Sequence, residues 1–290
     1  MMRVATAVVL ITTAARAVAH DSGAPHEEPA GWTLDPAIVL PLLLALIVFA
    51  IGWVRLSQRS RRGDGGLRRS ALWFGAGWLV LATALVSPLH QAGERSFSAH
   101  MVEHELIMLV AAPLLVLAQP LAIMLWAFPS RLRRTLGAIA AAPAVRLPWR
   151  TMSAPVAATI VQATALWLWH APALFDRALA DEGWHVAQHG SFLVSALLFW
   201  TAMLARRTAP GIAALCLIVT AIVSGALGAL MAFATSPWYA GYARFGFTAF
   251  GLSPAEDQQV AGLLMWVPGG LVHAAAALVL VRRLLRPAHG

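Results

Sequence analysis

The chain has 290 residues, 59% of them hydrophobic and 12% charged, against about 25% charged in an ordinary soluble domain. Its net charge of +8 comes from 21 basic residues that are all arginine. Their placement follows membrane topology, as shown below, which excludes nucleic acid as a partner and implies a lipid bilayer. The single cysteine, Cys216, sits in an apolar run, which excludes an internal disulfide framework and paired-thiolate metal chemistry within this chain.

In chain order, residues 1–19 read as a cleaved signal peptide. Arg3 is the charged start, Ala5 to Ala15 the apolar middle, and Ala17-Val18-Ala19 the small-residue cleavage site. Residues 20–35 form a polar, acidic tail with His20 and His26, expected on the outer, periplasmic side. Seven apolar segments follow, near 36–56, 70–88, 98–127, 152–172, 183–205, 211–234 and 256–280. Each approaches the roughly 20 residues that a helical span needs. The expected fold is therefore all-α: a polytopic membrane bundle of seven helices over 36–285, with a short cytoplasmic tail at 286–290.

Arginines cluster after the first span (Arg55 to Arg69), after the third (Arg131 to Arg150), after the fifth (Arg206, Arg207) and after the seventh (Arg282 to Arg286). The other face carries only Arg95, Arg177 and Arg244, with nearly all the acids. The positive-inside rule places the mature N-terminus outside a bacterial inner membrane and the C-terminus in the cytoplasm. Pro113 and Pro120 are expected to kink the long third span, since each removes a backbone donor. In the sixth span, Ser224 with Gly228 and Gly225 with Ala229 form small-residue pairs that favour close packing. The loop 235–252 is rich in aromatics and is expected at the headgroups. Ser253-Pro254-Ala255-Glu256 reads as a capping box with proline at the first helical position.

Histidines mark the candidate site. His100 and His104 stand in the first two turns of the third span, His170 in the last turn of the fourth, and His185 and His189 in the first two turns of the fifth. Five imidazoles from three consecutive helices thus share one outer layer about 6–8 Å thick, at 1.5 Å rise per residue. Two histidines at i and i+4 on one helical face can ligate one metal ion, and a neighbouring helix supplies the third ligand. Glu103, Asp176 and Asp257 lie at the depth where a carboxylate could accept the second ring N–H. Met108 extends the His100–His104 stripe by one turn, and a thioether beside imidazoles tilts the expected metal towards copper. His90 reads as an amphipathic ring at the headgroups, and His273 as a helix–helix hydrogen bond near the cytoplasmic side.

Three blocks carry a family resemblance. They are His100-Met101-Val102-Glu103-His104 running to Ala112-Pro113-Leu114-Leu115; Trp169-His170-Ala171-Pro172-Ala173-Leu174-Phe175-Asp176 with His185 to Ser191-Phe192; and Asp257-Gln258-Gln259-Val260-Ala261-Gly262-Leu263-Leu264-Met265-Trp266-Val267-Pro268-Gly269-Gly270. In these the chain resembles the multi-spanning CtaG family of cytochrome c oxidase assembly factors, associated with caa3-type oxidases, over about residues 36–285. The resemblance implies an integral membrane factor that matures a haem–copper oxidase, with an oxidase subunit as partner and a copper centre as target. Copper held by His100, His104, His170, His185 and His189, with Glu103, Met108, Asp176 and Asp257 as auxiliary groups, would make the chain a metallochaperone and no enzyme. Two alternatives stand beside this. His100-x-x-Glu103-His104 matches the inverted zincin pattern of a zinc metalloprotease, and facing histidines could hold haem.

Overall fold

The computed structural model describes residues 31–59, 64–205 and 207–285. The signal peptide at 1–19, most of the 20–35 tail and the 286–290 tail lie outside the described residues. Among those described, every regular element is helical. Asp35 caps the first helix, α1 (Pro36–Ser57), by accepting the Ala37 N–H at 2.8 Å. Next come α2 (Asp64–Val86) and the short α3 (Pro88–Arg95), which Ser87 caps. The third span is composite: α4 (Phe97–Glu105), a π turn (Leu106–Ala111) and α5 (Ala112–Ala118). Short elements return along the surface: α6 (Pro120–Met124), a 3₁₀ turn (Leu125–Ala127), α7 (Ser130–Ala141) and α8 (Pro143–Met152). The remaining helices are α9 (Pro155–Trp169), α10 (Pro172–Ala180), α11 (Glu182–Leu204), α12 (Pro210–Ala232), α13 (Ala240–Ala243) and α14 (Pro254–Leu285).

Six helices are long and apolar enough to cross a membrane, and a seventh results if α8 and α9, bent by 73°, count as one span. The expected fourth span is thus the short member. α9 has 15 residues, about 22 Å at 1.5 Å per residue, less than the ~30 Å hydrocarbon core. The third span also ends earlier than 127. A proline pushes the residue before it out of the right-handed helical region; Gln119 adopts φ 50° and ψ 51°, and Pro120 opens a new helix. That helix, α6, packs on α1, where a Cβ on Gly52 would stand 2.1 Å from the Ile123 carbonyl oxygen. Only glycine permits this approach.

Pro113 acts on the chain before it. It has no N–H to offer the Leu109 carbonyl, and its ring crowds that carbonyl in a regular helix. The backbone answers with a wider turn: the Ala112 N–H donates to Ile107 O, five residues back. The Met108 carbonyl loses the partner it would have in an α-helix, and the Trp200 indole N–H donates to it at 2.9 Å.

The third span and α11 form the middle of the bundle, 50% and 56% buried, whereas α1 is 17% buried. α12 and α14 make the most extensive helix pairing. They cross glycine to glycine, since a Cβ on Gly228 would meet Gly262 O at 2.7 Å and one on Gly262 would meet Gly228 O at 2.4 Å. The small residues expected to favour close packing in the sixth span do so. The capping box forms as well, with Glu256 Oε2 accepting from the Ser253 N–H at 2.8 Å and its hydroxyl at 2.7 Å.

Candidate metal centre

The start of α4 is clamped by α14. Asp257 accepts the Phe97 N–H at 2.6 Å, the Ser98 N–H at 3.3 Å, and the hydroxyls of Ser96 at 3.0 Å and Ser98 at 2.5 Å. Two otherwise orphaned backbone N–H groups at a helix N-terminus, and two serine hydroxyls, are thereby satisfied by one carboxylate. The clamp fixes His100 and His104 in the next two turns. On α11, Asp181 caps the start by accepting the Trp184 N–H at 3.0 Å, which sets His185 and His189 opposite them.

The rings of His100, His104, His185 and His189 meet with centroids 4.3–5.4 Å apart. One ligand atom each from His100, His185 and His189 fall within 4.8 Å of one another, and so do one each from His90, Glu103 and His189. The two sets share His189. Its Nδ1 lies 3.1 Å from its own helix's His185 carbonyl. A carbonyl only accepts, so Nδ1 carries the proton and Nε2 presents its lone pair to the cluster. Both nitrogens of His100 and of His104 are buried without a partner. Unpaired polar atoms buried together cost free energy, and a metal ion is one group that would satisfy several lone pairs at once.

Glu103 is fully buried at the centre. Its Oε1 accepts from His90 Nδ1 at 2.7 Å, and His189 Nε2 stands 3.2 Å from the same oxygen, outside hydrogen-bond geometry. Burial works against a charged His90 ring, but the bond to Glu103 and its charge outweigh burial and raise the pKa above its ordinary value. Sequence reasoning placed His90 at the headgroups; instead its ring stacks on His185 at 5.2 Å. The signal that could have found it is Ser87-Pro88, which caps and starts a helix of eight residues between two spans and keeps His90 in the histidine layer.

The other expected site residues are distributed as follows. His104 lies in the cluster, 4.6 Å from the Phe192 ring, outside both three-ligand sets. His170 shares Phe175 with His100 and Phe192 with His104, at 6.0 and 6.2 Å between centroids. Its Nδ1–H donates to Leu166 O at 2.7 Å, leaving Nε2 unpartnered. Asp176 caps α13 through the Ala240 and Gly241 N–H groups at 3.2 and 2.9 Å, and Asp257 makes the clamp described above. Met108 lines a separate cavity deeper in the bundle, together with Glu105 and Leu109. Of the four auxiliary residues, Glu103 alone contacts histidine in these bonds.

Tyr239 and Tyr242 cover the cluster. Instead of lying at the headgroups, they are buried, and their hydroxyls donate to His170 O at 3.0 Å and Gly93 O at 2.6 Å. Phe245, Phe247 and Phe250 of the same loop stay exposed. Access comes from the side. A cavity of about 740 Å³ has His90, His185 and His189 on its wall, with the carboxylates of Asp35, Glu94, Asp181 and Glu182 against one arginine, Arg244. Glu94, Asp181 and Glu182 are exposed, so the open side carries negative charge that draws cations inward.

A family model described as cytochrome c oxidase caa3 assembly factor matches residues 47–287. No curated protein and no solved structure gives a match.

Proposed function

The chain belongs to the cytochrome c oxidase caa3 assembly factor family, and from that membership we propose that it matures a haem–copper oxidase by taking copper into the outer histidine cluster and presenting it to an oxidase subunit. One observation carries the copper step: His100, His185 and His189 bring ligand atoms within 4.8 Å of one another beside a cavity with an acidic rim. Imidazole suits copper and zinc alike; a haem–copper oxidase as client favours copper in this reading. His100, His185 and His189 are the primary ligands in this reading. Glu103 accepts the Nδ1–H of His90, the carboxylate–histidine arrangement that orients a ring beside a metal. His104 and His170, each with an unpartnered Nε2, are reserve donors for a cargo that must arrive and leave.

The ion is cargo, so the role is that of a metallochaperone without catalysis. A transfer site must be reachable, and the cavity makes it so. The arginine distribution supports a cluster on the outer side of a bacterial inner membrane, with the N-terminus outside and the C-terminus in the cytoplasm. A haem between two axial imidazoles needs the macrocycle between their rings; contacting rings 4.3–5.4 Å apart leave no such gap.

The test is the metal content of protein purified in detergent, wild type beside His100→Ala/His189→Ala. Copper in the wild type that falls by one equivalent in the variant supports the reading. Zinc or haem in the wild type, or a copper content that the variant leaves unchanged, sinks it.

A further inference from the structure

A second cavity lies deeper in the bundle, mostly apolar, with a few buried polar groups in its wall. A cavity of about 200 Å³ is enclosed by the third span, α9, α12 and α14. Three buried polar atoms of its lining residues have no hydrogen-bond partner: Glu105 Oε2, Gln162 Oε1 and His273 Nε2. His273 Nδ1 lies 2.7 Å from the Gly269 carbonyl, so Nδ1 carries the proton and Nε2 the lone pair. The hydroxyls of the wall give their protons to backbone: Thr159 to Pro155 O at 2.8 Å, Thr220 to Cys216 O at 2.9 Å, and Ser224 to Thr220 O at 2.8 Å. Two thioethers, Met108 and Met265, complete the lining donors.

The remaining side-chain donor among the described residues of this wall is the Gln162 amide N–H₂. The wall is otherwise mostly apolar, and the unpartnered lone pairs of Glu105, Gln162 and His273 favour a cation. The one carboxylate balances a single positive charge. Thioether with imidazole selects a soft ion over the alkali and alkaline-earth cations, which take oxygen ligands. An ionisable side chain without a partner at this depth is costly, and such groups mark sites and pathways.

We propose that this cavity is a second metal site, taking a soft monovalent ion of the Cu(I) class through Glu105, His273 and the thioethers of Met108 and Met265, with Gln162 as a further oxygen donor. The site stands on its own cavity and does not require copper at the outer histidines.

The experiment loads full-length protein in detergent with Cu(I) under reducing conditions, desalts it, and measures bound copper and its sulfur neighbours by X-ray absorption. The outer-cluster variant His100→Ala/His185→Ala/His189→Ala keeps one copper per chain with sulfur in its shell. Adding Glu105→Gln, which preserves size, or His273→Ala lowers retained copper at least tenfold. Met108→Leu with Met265→Leu abolishes the sulfur signal. The proposal is overturned if the outer-cluster variant binds no copper, if its copper shows no sulfur neighbour, or if it survives Glu105→Gln and His273→Ala. Should the triple variant not survive purification, His273→Ala in the wild-type background must remove one equivalent and the sulfur signal together, or the proposal falls. Failure of the outer-site reading is distinguishable, since wild-type copper would then be unaffected by His100→Ala/His189→Ala.

Discussion

Glu103 and Glu105 stand two positions apart on α4 and meet opposite surroundings. Residues at i and i+2 do not share a helix face, so one points into the histidine cluster and the other into the deeper cavity. Glu103 is held through one oxygen: its Oε1 accepts from His90 Nδ1–H at 2.7 Å, while its Oε2 has no partner. Glu105 Oε2 has no partner, and on α14 it faces Gly269, where a Cβ would lie 3.3 Å from it. The contrast separates two uses of a buried carboxylate. A paired one organises the rings around it and resists removal. An unpaired one stores a cost that only a proton or a bound cation relieves.

The comparison can be broken by substitution, and the largest effect is expected at Glu103. Glu103→Leu leaves His90 Nδ1 buried without an acceptor, and thermal unfolding in detergent should show a loss of about 3–5 kcal/mol. A loss under 1 kcal/mol would mean that the His90–Glu103 bond organises nothing. Next in size is the milder Glu103→Gln, which should weaken copper binding about 10–100-fold, read by competition with a chromogenic chelator. Third, Glu105→Leu should stabilise the metal-free protein by about 1–3 kcal/mol, because an apolar group of similar size replaces an unsatisfied one. Destabilisation there would place a hidden partner on Glu105 and erase the contrast. The smallest effect, about 1 kcal/mol, is expected from Trp200→Phe, which deletes the donor to Met108 O and leaves both carboxylates in place.

Acidification offers a further check. Ligating imidazoles must be neutral, so protons compete with metal. Copper retention should fall as pH drops and return on neutralisation, as followed by dialysis at graded pH. Retention that is flat with pH would argue against histidine ligation.

Much of this arrangement was legible in the sequence, for local reasons. Apolar length and arginine placement mark the spans, Ser253 to Glu256 marks the start of α14, and i, i+4 spacing marks the paired histidines. What escaped the reading depends on contacts between distant segments or on a change of helical period. Asp257 looked like a ring-orienting group, but it caps α4 across 160 residues of chain. His90 looked like a lone interfacial ring because its partners, Glu103 and His185, belong to other helices. Met108 was placed by a period of 3.6, and that period does not hold between Leu106 and Ala111. The tyrosines of 235–252 were read by composition, which cannot tell a ring folded inward from one laid on the surface.

The π turn has a consequence for how such a helix is built and compared. A π turn amounts to one residue inserted into an α-helix, and each residue advances an α-helix by about 100°. Removing one residue from 106–111 would let the helix close to an ordinary period and swing everything beyond it around the axis. Met108 and its neighbours would then leave the deeper cavity, while His100, Glu103 and His104 stayed where Asp257 holds them. An insertion of one residue thus sets the face that the helix beyond Leu106 turns to the deeper chamber, which Glu105, ahead of the turn, reaches by ordinary helical spacing. In a chain aligned to this one, a one-residue gap inside 106–111 should be read as a change of chamber.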